Sequence, residues 1–202
     1  MTQDLIGIAE GTDKYLNSES RSIGGTARQE QIVHEGQPYL PTYTAIGDDL
    51  SVATVSSHLL QLMADGSNYT RLVRVEVVPT ENFPAADSTL KLGLYRLSTA
   101  GTGGGNVTPA PHDANDSAYG GTPQTLPSSK GTEGTLLHTW YLDMASAATD
   151  EGRDRIVWEP SRFAKPIIIG TAATDGLALK VIDAVASAAV IVQAEFVVTS
   201  YL

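Results

Sequence analysis

The residues with the strongest apparent chemical signal are four glycines, Gly101, Gly103, Gly104 and Gly105, which follow a leucine-rich, strand-like run. A dinucleotide-binding loop has glycine at its first, third and sixth positions, between a strand and a helix. Counting from Gly101, the sixth position is Asn106, and the Val-Thr-Pro after it does not begin a helix. The Gly-Lys-Ser/Thr ending of a phosphate loop is also missing. We interpret the glycines as a flexible or tight-turn linker and predict no cofactor and no cofactor-binding residues.

Histidine spacing gives no support for a metal site. The chain has four histidines, His34, His58, His112 and His138. None of their pairs has the spacing typical of zinc ligands. Residues 113–117, Asp-Ala-Asn-Asp-Ser, have the oxygen-rich composition of a calcium loop, but they lack the glycine and the closing glutamate of that motif. A solvated turn is the interpretation we favour over a cation site, and we predict no metal ligands.

Catalytic machinery is not evident in the sequence. The chain contains no cysteine, which excludes disulfides, thiolate metal sites and cysteine nucleophiles. A Gly-x-Ser-x-Gly elbow is missing, and the paired carboxylates Asp48-Asp49 and Asp143 with Asp154 fall in predicted turns. We therefore expect no catalytic residues and no enzymatic activity.

Three aromatic residues leave two interpretations open. Trp140, Tyr141 and Trp158 could form a platform on which a sugar stacks, or they could be core and rim residues. We favour the second.

Composition restricts the partners. Thirteen basic against 23 acidic residues give a net charge of -10, which repels a phosphate backbone and disfavours direct nucleic-acid binding. The same charge would suit docking on a basic surface of a partner. No apolar run approaches the ~18 residues that a membrane span needs, and the first residues lack the pattern of a secretory signal. We expect a protein that is made and kept soluble, or that leaves the cell by a route other than a signal peptide, and that does not bind membranes.

The elements that would position these residues are strands. In residues 69–78, alternation predicts that one face points to the core, with Arg71 near its rim: Tyr69, Arg71, Val73, Val75 and Val77. The same rule places Leu90, Leu92 and Leu94 on one face of the next strand. In the last strand it groups Val190, Val192, Ala194, Phe196 and Val198.

Two segments are ambiguous. Residues 50–63 also fit a helical period, but the β-branched and helix-weak residues at 52–57 favour a strand. An alanine-rich helix over residues 182–194 is the alternative to the last strand. Residues 47–49 are predicted to form a turn, and residues 64–68, with Asp65-Gly66, a hairpin loop.

Polar composition with few apolar residues marks residues 1–28 as an N-terminal arm, and residues 29–202 are predicted to form a single domain. The arm is either a floppy terminus or a segment that docks on a neighbouring subunit or partner. Within that domain, residues 101–130 are too polar and too broken by glycine and proline to hold regular structure. Loops of this length are uncommon unless they act in binding or are disordered, so this loop is the first place to expect a contact surface. Nine to ten strands without a βαβ rhythm predict an all-β fold, an antiparallel β-sandwich of jelly-roll type.

Several stretches together carry a family resemblance. They are the alternating strand at 73–78, the run Leu-Tyr-Arg-Leu-Ser-Thr at 94–99, the Gly/Thr-rich turn at 100–105, Val-Thr-Pro at 107–109 and His112-Asp113. Residues 56–62 and 71–74 and the last strand add to it. Over roughly residues 29–202 the chain resembles small virion structural proteins of tailed bacteriophages. The resemblance implies a jelly-roll or β-sandwich on the outside of the particle, as a decoration protein or a fibre part, and it transfers no functional residues.

These observations leave three hypotheses, in descending order of preference. The first is a non-enzymatic virion protein, assembled in the host cytoplasm, that decorates or cements the capsid. Its partners would be the major capsid protein or other virion proteins, and it would self-associate into a homo-oligomer through sheet edges or the arm. The second is a tail or fibre component that binds a host-surface glycan. The third is a small hydrolase or other enzyme on a β-sandwich.

Overall fold

The computed structural model describes residues 40–80, 84–146, 154–161 and 164–200, together with the backbone of three strands nearer the N-terminus. The chain forms two compact units, residues 1–39 and residues 40–202. In the first unit β1 (Asp4–Gly7), β2 (Tyr15–Ile23) and β3 (Thr26–Gln31) form an antiparallel sheet in the order β1-β2-β3. The predicted arm, residues 1–28, falls within this unit.

The second unit is built from two antiparallel sheets. Its longer strands are β4 (Thr42–Ser51), β5 (His58–Met63), β6 (Tyr69–Pro79), β7 (Ser88–Leu97), β11 (Glu133–Met144), β14 (Gly176–Asp183) and β15 (Ala189–Thr199). Its short strands are β8 (Gly105–Asn106), β9 (Ala110–Pro111), β10 (Gln124–Thr125), β12 (Ile156–Trp158) and β13 (Ile167–Ile169). Sheet I has the order β11-β7-β14-β5-β10-β8, and sheet II has the order β12-β6-β15-β4-β9, with β13 also on β6.

These sheets confirm the predicted all-β, antiparallel sandwich. The described part of the chain contains no helix, so the helical alternatives for residues 50–63 and 182–194 are not realised. It also contains no helix of the length and apolar character that would cross a membrane.

The core lies between the sheets and is mostly aliphatic, as 6% aromatic content predicts. Alternation identified the inward residues correctly on two strands. Leu90, Leu92 and Leu94 of β7 are buried, as are all five residues assigned to the inner face of β15. Burial of this apolar surface supplies most of the driving force for folding.

The predicted core face of β6 is wrong in the N-terminal half of the strand. Thr70 and Leu72 are buried there, whereas Arg71 and Val73 are only half-buried. The cause is a β-bulge: Leu72 pairs with Phe196 and Arg74 with Glu195, so Val73 has no partner opposite it. One extra residue exchanges the two faces of a strand.

Three further segments differ from the local turn and strand signals. Residues 47–49 are a bulge inside β4, where Asp49 has a φ of 48°. Residues 52–57, predicted as strand, form the turn between β4 and β5. Residues 64–68 join β5 of sheet I to β6 of sheet II, so they do not close a hairpin.

The central loop, residues 101–130, carries regular structure that its composition did not predict. Its strands β8 and β10 extend sheet I beyond β5, and its strand β9 pairs with β4 at the edge of sheet II. The loop therefore covers one edge of each sheet.

Candidate functional site

A buried polar network holds both ends of the central loop against β5. We call His58, Gln61, Gly101, Lys130, Glu133 and Lys180 the loop-base network. The side chains of His58 and Gln61 are 0% exposed, on a strand that is otherwise apolar. The Gly101 amide donates to Oε1 of Gln61 at 2.9 Å, and Nε2 of His58 lies 3.0 Å from Oε1 of Glu133. β5 thereby binds Gly101 at the start of the loop and Glu133 shortly after its end.

The direction of every hydrogen bond in this network follows from Gly101. A backbone N–H can only donate, so the Gln61 oxygen must face Gly101 and the Gln61 amide NH₂ must face His58. Nε2 of Gln61 lies 2.6 Å from Nδ1 of His58, so Nδ1 is the acceptor and carries no proton. His58 is then the neutral tautomer with its proton on Nε2, which donates to Glu133.

Glu133 is the anion of the network. Its Oε2 accepts from Nζ of Lys180 at 2.6 Å, and its Oε1 lies 3.4 Å from Nζ of Lys130. Partial burial raises the pKa of Glu133, but hydrogen bonds from Lys180 and His58 and the two lysine charges outweigh it and lower the pKa to about 2. Glu133 is ionised at neutral pH.

Burial is the main effect on His58 and lowers its pKa from the ordinary 6.5, while the Glu133 hydrogen bond and charge oppose the shift. With neither His58 nor Gln61 exposed, no substrate can reach this histidine. The polar atoms of both side chains are bonded within the protein. The network can hold the loop, and its two fully buried side chains, His58 and Gln61, offer no accessible nucleophile or base.

Beyond its base, the loop is bound along both sheets. The Thr102 and Ser129 backbones form a bridge. Nε2 of His112 lies 2.7 Å from Oγ1 of Thr44 at the edge of sheet II. Tyr43 donates from its hydroxyl to the carbonyl of Ser117 at 2.7 Å. The surface that the central loop contacts is thus its own sandwich.

Tyr119, near the far end of the loop, is buried in an aromatic cluster with Tyr43 and Phe196, at ring-centroid distances of 5.6 Å and 4.8 Å. Its hydroxyl donates to the Met63 carbonyl at 2.6 Å and lies 3.1 Å from Oγ1 of Thr70. Burial raises the pKa of Tyr119 to about 12. Tyr119 thus anchors this part of the loop to residues of both sheets.

The glycine run lies where the loop packs closely. A Cβ on Gly101 would lie 2.6 Å from the Ser129 carbonyl oxygen, and Gly103 has a φ of 73°. Both positions therefore favour glycine for reasons of turn geometry. This agrees with a tight turn and not with a phosphate cradle.

The described histidines are not brought together. His58 is in the loop-base network, His112 contacts Thr44, and His138 packs against Trp140 at a centroid distance of 4.5 Å. His34 lies outside the described residues. Within the described ranges, no group of three or more histidine, aspartate or glutamate side chains is placed to hold a metal ion.

The calcium-like segment is a local turn. Oδ1 of Asp113 accepts from the backbone and the side-chain amide of Asn115, each at 2.9 Å. These bonds lower the pKa of Asp113. The aspartate is used within its own turn, as the turn interpretation predicts.

Two of the paired carboxylates do share a surface. Asp143 and Asp154 line an open cleft of about 530 Å³ together with Asp87. Asp143 accepts from Thr89 at 2.9 Å. Asp154 accepts from the amide of Arg155. Asp48 and Asp49 lie apart from them, in the β4 bulge of sheet II.

The three aromatic residues do not form one platform. Trp140 and Tyr141 alternate on β11, so they point to opposite faces of sheet I, and Trp158 belongs to sheet II. Trp140 and Trp158 pack against the core. Tyr141 is 63% exposed on the outer face, with Nζ of Lys91 at 5.3 Å from its ring centroid.

Sequence reasoning missed the loop-base network, although one signal was present. Gln61 interrupts the apolar run Leu-Leu-Gln-Leu-Met at 59–63, and a buried polar side chain must find partners. The partners Gly101 and Glu133 are remote in sequence and are found only in the folded chain. Comparison with protein-family models, with curated proteins and with solved structures finds no match to this chain.

Proposed function

We propose that this chain is a non-enzymatic structural protein of a tailed-phage virion, which decorates or cements the capsid through contacts between subunits. The strand order supports the jelly-roll part of this proposal. β4, β5, β6 and β7 pair in reverse order with β15, β14, β13 plus β12, and β11, as in a long hairpin that has been rolled up. Jelly rolls include viral capsid domains. Because fold alone does not fix function, the proposal depends on which surfaces of the sandwich are free to bind another subunit.

The observation that carries the proposal is that the central loop pairs with one edge of each sheet but not with the β11 edge of sheet I. The central loop covers the β5 and β4 edges with β10 and β9. At the opposite edge of sheet I, β11 pairs only with β7 among the described residues. This 12-residue strand, which has no second neighbouring strand in the described part of the chain, is long for an edge and contains no lysine or proline, residues that commonly block edge pairing.

We assign the β11 edge to contact with a second copy of this chain. Antiparallel pairing of two identical strands about a two-fold axis is self-complementary and closes after two copies. Residues 138–144 of β11 pair with β7 without irregularity and would present a regular edge. Beside it, Tyr141 and Leu136 are 63% and 44% exposed on the outer face. The acidic charge would suit docking of the pair on a basic capsid surface.

Oligomeric state tests the edge contact. Analytical ultracentrifugation of the full chain should show a dimer or larger assembly, and Tyr141→Lys should shift it to monomer by placing a cation beside Lys91 in each copy. Ile46→Lys is the matched control, because Ile46 is 51% exposed on sheet II, away from β11. A wild-type protein that is monomeric at all concentrations, or equal effects of the two variants, would refute this interface.

Co-sedimentation tests the virion role separately. The protein should sediment with assembled capsids of its phage, and weaker binding in raised salt would indicate the expected charge contact. Failure to co-sediment at low salt would remove the capsid proposal even if the protein is a dimer.

A tail or fibre protein that binds a host glycan is the second candidate. The exposed ring of Tyr141 beside Lys91 favours it, since sugars stack on exposed aromatic faces. Saturable glycan-array binding that Tyr141→Ala abolishes would support this candidate over the first.

A further inference from the structure

We infer that the loop-base network holds the start of the central loop on β5 in a pH-dependent way. A single proton gained by His58 breaks the hydrogen-bond chain from Gly101 to Glu133 and detaches the start of the loop from β5. This property does not depend on the proposed virion function.

The inference follows from the number of donors in the chain of hydrogen bonds. In the neutral state each contact joins one donor to one acceptor: Gly101 N–H to Gln61, Gln61 NH₂ to Nδ1 of His58, and Nε2–H to Glu133. Protonation places a hydrogen on Nδ1. Two donors then face each other across 2.6 Å, where no hydrogen bond can form.

A flip of the Gln61 amide does not resolve the conflict. The flipped oxygen would accept from protonated His58, but the NH₂ group would then face the Gly101 N–H. The two opposed donors would then be the Gln61 NH₂ group and the Gly101 N–H. A small local adjustment of Gly101 is blocked on the side where a Cβ would project, because Ser129, Gln61 and Pro127 lie within 2.9 Å of that position. In either orientation one buried donor lacks an acceptor, and separation of Gly101 from β5 relieves this.

The charged groups around His58 set the pH range. From β11, Glu133 favours the protonated imidazole; Lys180 on β14 and Lys130 at the end of the loop oppose it, and burial opposes it most. The resulting pKa of His58 lies below 6.5. Glu133, with a pKa of about 2, stays ionised through this range, so a proton that enters this hydrogen-bond chain above that pH goes to His58.

Detachment should remain local. Further along the loop, β9 and β10 pair with the two sheets, and Tyr119 is bonded to Met63 and Thr70. None of these contacts includes a histidine; the one histidine beside them, His112 next to β9, contacts Thr44. Acid should therefore expose the Gly101 amide while the far part of the loop stays closed.

Hydrogen exchange of the Gly101 amide between pH 8 and pH 4.5 tests the inference, with protection factors corrected for intrinsic exchange. NMR titration of the His58 imidazole gives its pKa in the same samples. Above that pKa protection should be constant; below it protection should fall ~10-fold per pH unit, the slope for uptake of one proton. The amides of Gln124 and Thr125 in β10 serve as internal references and should change little.

Gln61→Glu is the decisive variant. A carboxylate at this position can accept from both Nδ1–H and Gly101 N–H, so His58 should titrate at a higher pH and Gly101 should stay protected in acid. His58→Gln, which cannot titrate there, should also give a flat profile. His112→Gln removes the exposed loop histidine and should keep the wild-type slope. A wild-type Gly101 protection factor that does not change with pH would overturn the inference, as would a full acid slope in Gln61→Glu.

Discussion

Tyr119 shows how one residue joins packing and polar satisfaction. Its ring fills the space between Tyr43 and Phe196, and its hydroxyl serves the Met63 carbonyl at a depth where water is excluded. A buried acceptor that loses its donor is costly, whereas the net gain from making the bond is modest. The position therefore requires tyrosine and not simply an aromatic ring.

Tyr119→Phe should lower the free energy of unfolding at pH 7 by about 1–2 kcal/mol, because the Met63 carbonyl loses its donor. The raised pKa gives a second effect. Tyr119 ionises near pH 10 in the unfolded chain and near pH 12 in the folded chain. The free energy of unfolding of the wild type should therefore fall as pH rises from 10 to 12. The variant should lack that contribution.

Urea denaturation at pH 7, 10 and 11 measures both effects. Tyr141→Phe is the control, because Tyr141 is exposed and its hydroxyl is not in the core. An equal alkaline loss in wild type and Tyr119→Phe would contradict the assignment.

Among the elements, β6 shows most clearly how backbone geometry overrides sequence pattern. A strict period of two places Arg71 and Val73 with Val75 and Val77. The bulge at Val73 instead directs Leu72 and Val75 into the core and leaves Arg71 and Val73 half-buried. The bulge lets apolar residues in both halves of β6 reach the core while the charged Arg71 is kept from full burial.

The bulge makes neighbouring substitutions unequal. Leu72→Ala should lower the free energy of unfolding by about 2–5 kcal/mol, because it leaves a cavity between the sheets, while Val73→Ala should cost less than about 1 kcal/mol. Chemical denaturation of the two variants is the measurement. Equal costs, or a larger cost at Val73, would mean that β6 has the regular register that alternation predicts.

The central loop is the element whose character changed most between sequence and structure. By composition it is a polar connection, and residues 105–106, 110–111 and 124–125 give no strand signal. In the fold these three pairs become short strands. β9 pairs with β4 and β10 pairs with β5, whose backbone groups must be satisfied, and β8 pairs in turn with β10. A loop that caps edges in this way also limits uncontrolled strand pairing.

At the scale of the molecule, the two compact units are the main feature. The hydrophobic core of the second unit is drawn entirely from residues 43–198, and its sheets include no strand from residues 1–39. The second unit thus contains all the described contacts that hold the sandwich and the loop.

Removal of residues 1–39 should leave the sandwich folded. A chain of residues 40–202 should give a cooperative thermal transition within a few degrees of the sandwich transition of the full protein, because it retains the whole core. Circular dichroism and hydrogen exchange of β15 measure this. A fragment without cooperative unfolding would contradict the division into units. If it folds, its co-sedimentation with capsids reports whether the N-terminal unit is needed for docking.

The amino-acid sequence by itself determined the fold class and much of the core. Alternation on β7 and β15 and frequent turn residues are local properties, and they suffice to predict strands, their inward faces and an antiparallel sandwich. The spacing of Gly101 and its neighbours lacks the pattern of a phosphate loop.

Tertiary structure alone decided the loop's position, the faces of β6 and the loop-base network. Gln61 bonds to a residue 40 positions away and His58 to one 75 positions away, so no local pattern could join them. The bulge at Val73 was hidden for a similar reason, because register depends on the partner strand, 122 residues further on at Glu195, and not on β6 itself. Local sequence sets which surfaces must be buried; long-range pairing sets which polar groups meet when they are.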